Sequence, residues 1–232
     1  MSETVALAKK MGIIRYRRLD GSSSSGAGVS ARTSDTGTGA QRPSYVLVID
    51  FESTCWEEKS GAPPPEIIEF PVVLLALDTG AVLAEFHHYC QPVENPRLSP
   101  FCRFADLGGL IVKFYVSCSV RQLTGISQEQ VDDGVPLATC LVLFRQWLEA
   151  VCREHGLVFM SSATCPQQQP GPDTRLVTCV TWSDWDLSLC LDNECKRKQI
   201  RKPDCFNSWI DIRAVYRSFY NRRPRGLNNA LR

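Results

Sequence analysis

Between Tyr45 and Glu52 the chain reads Tyr-Val-Leu-Val-Ile-Asp-Phe-Glu, a nearly unbroken apolar run rich in β-branched residues. A strand buried on both faces accommodates such a run, which constrains the fold to a sheet with material packed on each side. A second strand is predicted over Ile67 to Leu77, closed by the Asp78-Thr79-Gly80 turn, with Val82 to Tyr89 returning as the other half of a hairpin. After Pro136, apolar residues at Leu137, Leu141, Phe144, Leu148 and Val151 keep the rhythm of an amphipathic helix that Gly156 ends. Strand patterns follow over Leu157 to Met160 and Leu176 to Thr181, divided by a Pro/Gln/Gly loop. Helical patterns resume near Asp184 to Lys198 and Arg213 to Tyr220, with Trp209 to Ile212 a short strand between them. Strands first, then strands alternating with helices, predict an α/β fold with a mixed sheet covered by helices.

Ahead of this domain the residues point elsewhere. Residues 1–44 hold a basic segment, in which Leu7 to Leu19 could form a short helix, and a Gly/Ser-rich linker from Gly21 to Ala40 that has too little apolar surface to order itself. The folded part is expected over residues 45–232. With 44% hydrophobic and 22% charged residues in 232, the chain suits one ordinary domain and excludes collagenous or wholly disordered classes. The longest clean apolar run, Val72 to Leu77, is far short of the roughly 20 residues of a spanning helix. The N-terminus lacks the apolar stretch of a secretory signal, so no membrane partner and an intracellular protein are expected. The 11 cysteines are odd in number and form no C-x-x-C pair, which predicts free, mostly buried thiols rather than a zinc site. From Asn193 to Arg232 there are 11 Lys and Arg against Glu194, Asp204 and Asp211, while the rest of the chain is net acidic. A basic stretch of this kind suits either a solvated surface or a phosphate-binding one.

The sharpest chemical feature is Asp50-Phe-Glu52 at the end of the first buried strand. Residues i and i+2 of a strand share a face, so the two carboxylates are presented side by side. A divalent cation would let both stay ionised, and oxygen-only ligands suit magnesium or manganese better than zinc. Taken alone, an Asp-x-Glu at a strand end equally suits a solvated or capping pair.

Further motifs occur in order: Glu66-Ile-Ile-Glu-Phe-Pro71, Leu123-Thr-Gly-Ile-Ser-Gln128 with Val131-Asp132, and Thr181-Trp-Ser-Asp-Trp-Asp186 at a strand-to-helix boundary. Together they resemble the 3′-to-5′ exonucleases of the DEDD superfamily, DEDDh type. Phe51-Glu-Ser-Thr-Cys-Trp56, Trp185-Asp186, Asn193 to Gln199 and Asn207 to Arg213 are similar to the enhanced-RNAi exoribonuclease family in particular. The resemblance covers about Tyr45 to Leu231. It implies an RNase-H-like fold with a mixed five-stranded sheet flanked by helices. It also implies two Mg²⁺ ions, replaceable by Mn²⁺, held by Asp50, Glu52 and Asp186. Asp184 is the nearby rival for the third place, its other role being an exposed acid at a helix N-terminus. Thr54, Leu123 and Thr124 fall where the family contacts the terminal nucleotide, and they equally suit turn and core positions. The implied substrate is the 3′ end of single-stranded RNA. DNA stays open, because the same phosphate linkage is attacked.

Two departures from the family shape the expectation. The family continues into a segment with a His, the general base, and a fourth Asp. This chain has no counterpart of either before Arg232, and His87, His88 and His155 lie too far upstream to be carried over. The expectation is a C-terminally incomplete domain with weak or no nuclease activity, since losing a general base costs on the order of 10² to 10⁴ in rate. The alternatives are a noncatalytic nucleic-acid-binding or regulatory isoform and a nonfunctional product. The second departure is residues 103–122, an apolar, strand-prone insertion between Phe101-Cys102 and Leu123, either a true inserted strand or a splice or exon-boundary artefact.

Overall fold

A computed structural model describes residues 42–57, 60–100, 102, 124–160, 175–224 and 226–231. The expected N-terminal segment and linker up to residue 41, the insertion at 103–122, Leu123 and the loop at 161–174 lie outside the described residues. In chain order the elements are β1 (Tyr45–Ile49), β2 (Glu52–Ser53), β3 (Ile67–Ala76), β4 (Val82–Gln91), α1 (Gln128–Asp132), β5 (Val135–Pro136) and α2 (Leu137–His155). There follow β6 (Leu157–Phe159), β7 (Arg175–Thr181), a π-helix (Trp185–Cys190), α3 (Leu191–Arg197), a 3-10 turn (Asp204–Asn207), β8 (Trp209–Asp211), α4 (Ile212–Tyr220) and α5 (Leu227–Ala230).

The sheet runs β5-β4-β3-β1-β7-β6, with β2 on β3 and β8 on β7. β1 is antiparallel to β3 and parallel to β7, which makes the sheet mixed. β6 pairs with Arg175 to Val177 and β8 with Cys179 to Thr181, so the two share one edge of β7. Five strand positions therefore span the sheet from β4 to that shared edge, as expected. The two-residue β5 adds a short parallel ladder to the end of β4.

The expected strand from Tyr45 to Glu52 is not continuous, and two residues explain the break. Ile49 faces Val72 in β1 and Glu52 faces Glu69 in β2, so one register persists across the gap. Phe70 and Pro71 face the gap, and Pro71 has no N–H to donate to the ladder. On the other side, the Phe51 N–H is donated at 2.9 Å to Asp186 Oδ1 rather than to a neighbouring strand. The interruption therefore falls at the acid pair itself.

Alternation along β1 builds two cores. Leu47, Ile49 and Phe51 join Phe70, Val72 and Leu74 beneath α2, whose Leu137, Cys140, Leu141 and Phe144 are buried. Val46 and Val48 join Val73, Leu75 and Val180 on the other face, against Ile210, Ile212 and Leu227. The predicted helix appears as α2, ended by Gly156 at φ +63 with its N–H on the Cys152 carbonyl, a left-handed cap that glycine enters without strain. The stretch from Asp184 to Lys198 differs from a simple helix: it begins as a π-helix and becomes α-helical at Leu191. The wider turn lets Asp186, Leu187 and Cys190 all be buried.

Gly134 sets the approach of β5 to β4. A Cβ there would lie 2.8 Å from the Tyr89 carbonyl oxygen and 3.1 Å from the Cys90 carbonyl carbon, both backbone atoms. Backbone cannot rotate aside as a side chain can, so Gly134→Ala is expected to cost on the order of 1–3 kcal/mol. Urea unfolding of the variant checks this, and an unchanged midpoint would contradict it.

Candidate metal and nucleotide site

Phe51 anchors the acid pair. Its side chain is buried, with ring centroids 4.4 Å from Phe70 and 6.5 Å from Phe206. Asp50 and Glu52, on either side of it, are half-buried at the sheet edge of the core. Asp186 comes from the start of the π-helix after β7, the parallel neighbour of β1. Its carboxylate takes the Phe51 N–H, so the third acid touches the backbone between the first two.

Asp186 is 4% exposed. Burial pushes its carboxyl up to about 6, against the opposing pull of the Phe51 N–H and its own backbone N–H. Among the described residues, no cation forms an ion pair with it. Asp184 stands apart: it is exposed, and its Oδ1 accepts the Trp209 indole N–H at 3.0 Å. Of the two rivals, Asp186 is the acid brought to Asp50 and Glu52. Among the described residues, no three His, Cys, Asp or Glu side chains converge closely enough to enclose a metal, so the acids do not stand as a ready-made cage.

The expected nucleotide contacts divide. Thr54 is buried, and its hydroxyl accepts the Glu66 N–H at 2.9 Å while its own N–H goes to the Glu66 carbonyl at 2.8 Å. Thr124 is half-buried and donates to the Cys102 carbonyl at 2.8 Å. Leu123 lies outside the described residues. His87 pairs with Glu69 at 2.6 Å on β4, and His155 closes α2.

Behind the site stands a buried triad that carried no role in the sequence reading. Glu66, fully buried, accepts the N–H groups of Val93, Glu94 and Asn95, and Glu194 accepts that of Ile67 at 2.7 Å. Lys198 lies between them, 2.7 Å from Glu66 and 2.6 Å from Glu194. The backbone N–H groups and the ammonium hold the Glu66 carboxyl below its ordinary value, whereas burial pushes Glu194 up. Glu194 and Lys198 at i and i+4 on a helix were the available signal.

The basic C-terminal stretch is largely spent internally. Lys196 and Lys202 pair with Asp192, Arg197 with Glu94, and Arg201 with Asp204. Among the described residues, Arg213, Arg217 and Arg223 make no ion pair, and all three line an open cleft of about 390 Å³ with Ser183, Asp184 and Trp185. The cleft begins one residue from Asp186. Its three guanidinium groups suit anionic ligands, and Trp185, 38% exposed, offers an aromatic face.

A mixed sheet with an acid pair leaving its central strand and a third acid at the turn after the parallel neighbour is the arrangement that the resemblance to DEDDh-type 3′-exonucleases implies. The comparisons agree. "ERI1 exoribonuclease 2" of Xenopus laevis is 44% identical over 234 residues, covering 98% of this chain and 29% of the relative. "3'-5' exonuclease Snipper" of Drosophila melanogaster is 45% identical over 192 residues, covering 81% and 59%. The solved nuclease domain of 3′hExo, "a DEDDh family member, bound to rAMP", superposes with a TM-score of 0.52 at 29% identity, covering 78% of this chain and 72% of that one. No known family profile matches the chain. The chain belongs to the ERI1 exoribonuclease family. It spans about a third or less of the length of the ERI1 exoribonuclease 2 relatives it matches.

Proposed function

We propose that the chain is a metal-dependent 3′-to-5′ exoribonuclease domain that hydrolyses the terminal phosphodiester of single-stranded RNA. The observation that carries this reading is the Asp186 carboxylate buried against the Phe51 N–H, between Asp50 and Glu52. The donor set fits Mg²⁺ or Mn²⁺: it is all oxygen, and Asp186 is a desolvated carboxylate that a cation would stabilise. Asp50, Glu52 and Asp186 would hold two such ions. Bound metals supply positive charge to the attacking and leaving oxygens of the phosphodiester.

The chain's own residues do the positioning. The Phe51 ring fixes the acid pair to the core, and the Phe51 N–H fixes the direction of Asp186. Arg213, Arg217 and Arg223 draw phosphates into the adjoining cleft, a contribution that salt weakens. Trp185 is placed to stack on an unpaired base. The relatives' names support RNA as substrate, and "bound to rAMP" describes a ribonucleotide in a neighbour.

The test is digestion of 5′-labelled single-stranded RNA, with matched DNA in parallel. The expected result is Mg²⁺- or Mn²⁺-dependent shortening from the 3′ end that Asp50→Ala abolishes. Shortening that survives EDTA, or that Asp50→Ala leaves intact, contradicts the reading. The cleft lined by Arg213, Arg217 and Arg223 equally suits a second reading, an RNA-binding form without turnover. Retention of labelled RNA with no shortening at any metal concentration selects it.

A further inference from the structure

Cys55 and Cys102 meet beside the acid pair. Cys55 follows Thr54, three positions past Glu52, and Cys102 reaches across to the Ser53 carbonyl with its thiol at 3.6 Å. Ser99 ties the two together: its hydroxyl donates to the Cys55 carbonyl at 2.5 Å and accepts the Cys102 N–H at 3.1 Å. The Cys102 carbonyl in turn accepts the Thr124 hydroxyl. Both side chains pack in one apolar cluster with Ile68, Leu98, Ile126 and Val131. The neighbouring Cys55 thiol and N–H hold the Cys102 thiol down to about 7, while the same pairing pushes the Cys55 thiol well up, so the first proton leaves from Cys102. Cys55 is half-buried and Cys102 fully buried, so an oxidant reaches the Cys102 sulfur past Cys55.

We propose that Cys55 and Cys102 are a peroxide-oxidisable dithiol whose reversible disulfide displaces the Glu52–Cys55 segment and thereby restrains RNA binding and cleavage. In the singly deprotonated pair Cys55 keeps its proton, and the Cys102 thiolate attacks hydrogen peroxide. An S–O bond forms, the O–O bond breaks, and hydroxide leaves to become water. Cys55 then attacks the Cys102 sulfenic sulfur; the S–S bond forms, the S–O bond breaks, and the oxygen departs as water with the last thiol proton. Two thiols and one peroxide give one disulfide and two waters. A disulfide holds its sulfurs about 2.05 Å apart, well inside non-bonded contact, so closing it shifts the loop that carries Cys55. A displacement of about 1 Å at a reacting centre costs on the order of 100-fold in rate.

The experiment exposes the whole chain to graded hydrogen peroxide, blocks the remaining thiols with N-ethylmaleimide, and maps unreduced peptides by mass spectrometry. A Cys55–Cys102 cross-linked peptide that dithiothreitol removes is expected, while Cys90 and Cys140, neighbours that are both fully buried, are recovered alkylated. Recovery of Cys55 and Cys102 as separately alkylated thiols overturns the proposal, and because it uses the unaltered chain it does not depend on a variant folding. Labelled RNA is titrated against the oxidised and reduced chain in the same preparation, with a loss of affinity of at least about 10-fold expected on oxidation and recovery on reduction. Cross-linked protein with unchanged RNA affinity overturns the restraint. That second readout rests on the nuclease reading. A reduced chain that binds no RNA sinks the nuclease reading and with it the restraint, while the cross-link decides the dithiol by itself.

Discussion

Lys198→Met is expected to destabilise the chain by about 3–5 kcal/mol at pH 8, the range seen when one partner of a buried ion pair is removed. The side chains of Glu66 and Glu194 are 0% and 1% exposed, and the Lys198 ammonium bridges them at 11% exposure. Methionine keeps the stem's packing and deletes the charge, leaving two desolvated carboxylates facing each other. The deficit should depend on pH in a defined direction. In the wild type, the depressed Glu66 contributes stability that is present above its unfolded value of 4.5 and is lost as pH falls through the lower folded value. In the variant the folded carboxyls lie above their unfolded values, so the folded state binds more protons and stability falls as pH rises. The variant's trend narrows the gap toward pH 5, where the wild type still keeps the Glu66 contribution. Urea unfolding of the two proteins at pH 8 and pH 5 measures it, and an equal deficit at both would contradict the triad's role.

The second large effect is expected at Asp186. In Asp186→Asn the amide oxygen can still accept the Phe51 N–H, so the contact survives while the buried charge is gone. The wild-type carboxyl, raised from 3.8 to about 6 by burial, favours its protonated form in the folded state. Its ionisation therefore costs nothing below the unfolded pKa, and the cost grows until pH passes the folded one. At pH 7.5 without metal that cost is about 3 kcal/mol, and the variant should be more stable by up to that amount. With Mn²⁺ the order reverses. The wild type gains melting temperature with cation and the variant does not, and RNA shortening falls at least about 100-fold, more than the usual loss from a residue that merely supports a metal ligand. A variant that keeps the full cation-induced shift would remove Asp186 from the metal site.

The central strand, the hairpin and the long helix were legible because each follows from local periodicity: an apolar run for β1, a turn signal at Asp78-Thr79-Gly80, a four-residue rhythm from Leu137. What escaped depended on partners distant in sequence. The break at Asp50 and Phe51 arises from Pro71 opposite and from Asp186 beyond β7, and nothing within the Tyr45 to Glu52 run announces it. The π-helix at Trp185 reflects burial of Asp186 together with Leu187 and Cys190, where a helical pattern alone predicts ordinary α turns. At the site, Asp50, Glu52 and Asp186 were named from ordered motifs, while the burial of Asp186 against the Phe51 N–H and the exposure of Asp184 needed the three-dimensional fold. The basic C-terminal stretch was legible only as a sum. Its division into ion-paired residues from Lys196 to Lys202 and the arginines of the cleft needed three-dimensional neighbours such as Glu94 and Asp192.

The Phe51–Asp186 hydrogen bond joins residues 135 positions apart, and the Ile67–Glu194 bond joins residues 127 apart. Neither has a local precursor, and closing loops of that length delays such contacts relative to the β3–β4 hairpin and α2. The acid pair is therefore synthesised early and completed late. A nascent chain that has reached Thr181 carries Asp50 and Glu52 but has no Asp186 to meet them, so the three acids come together only late in folding.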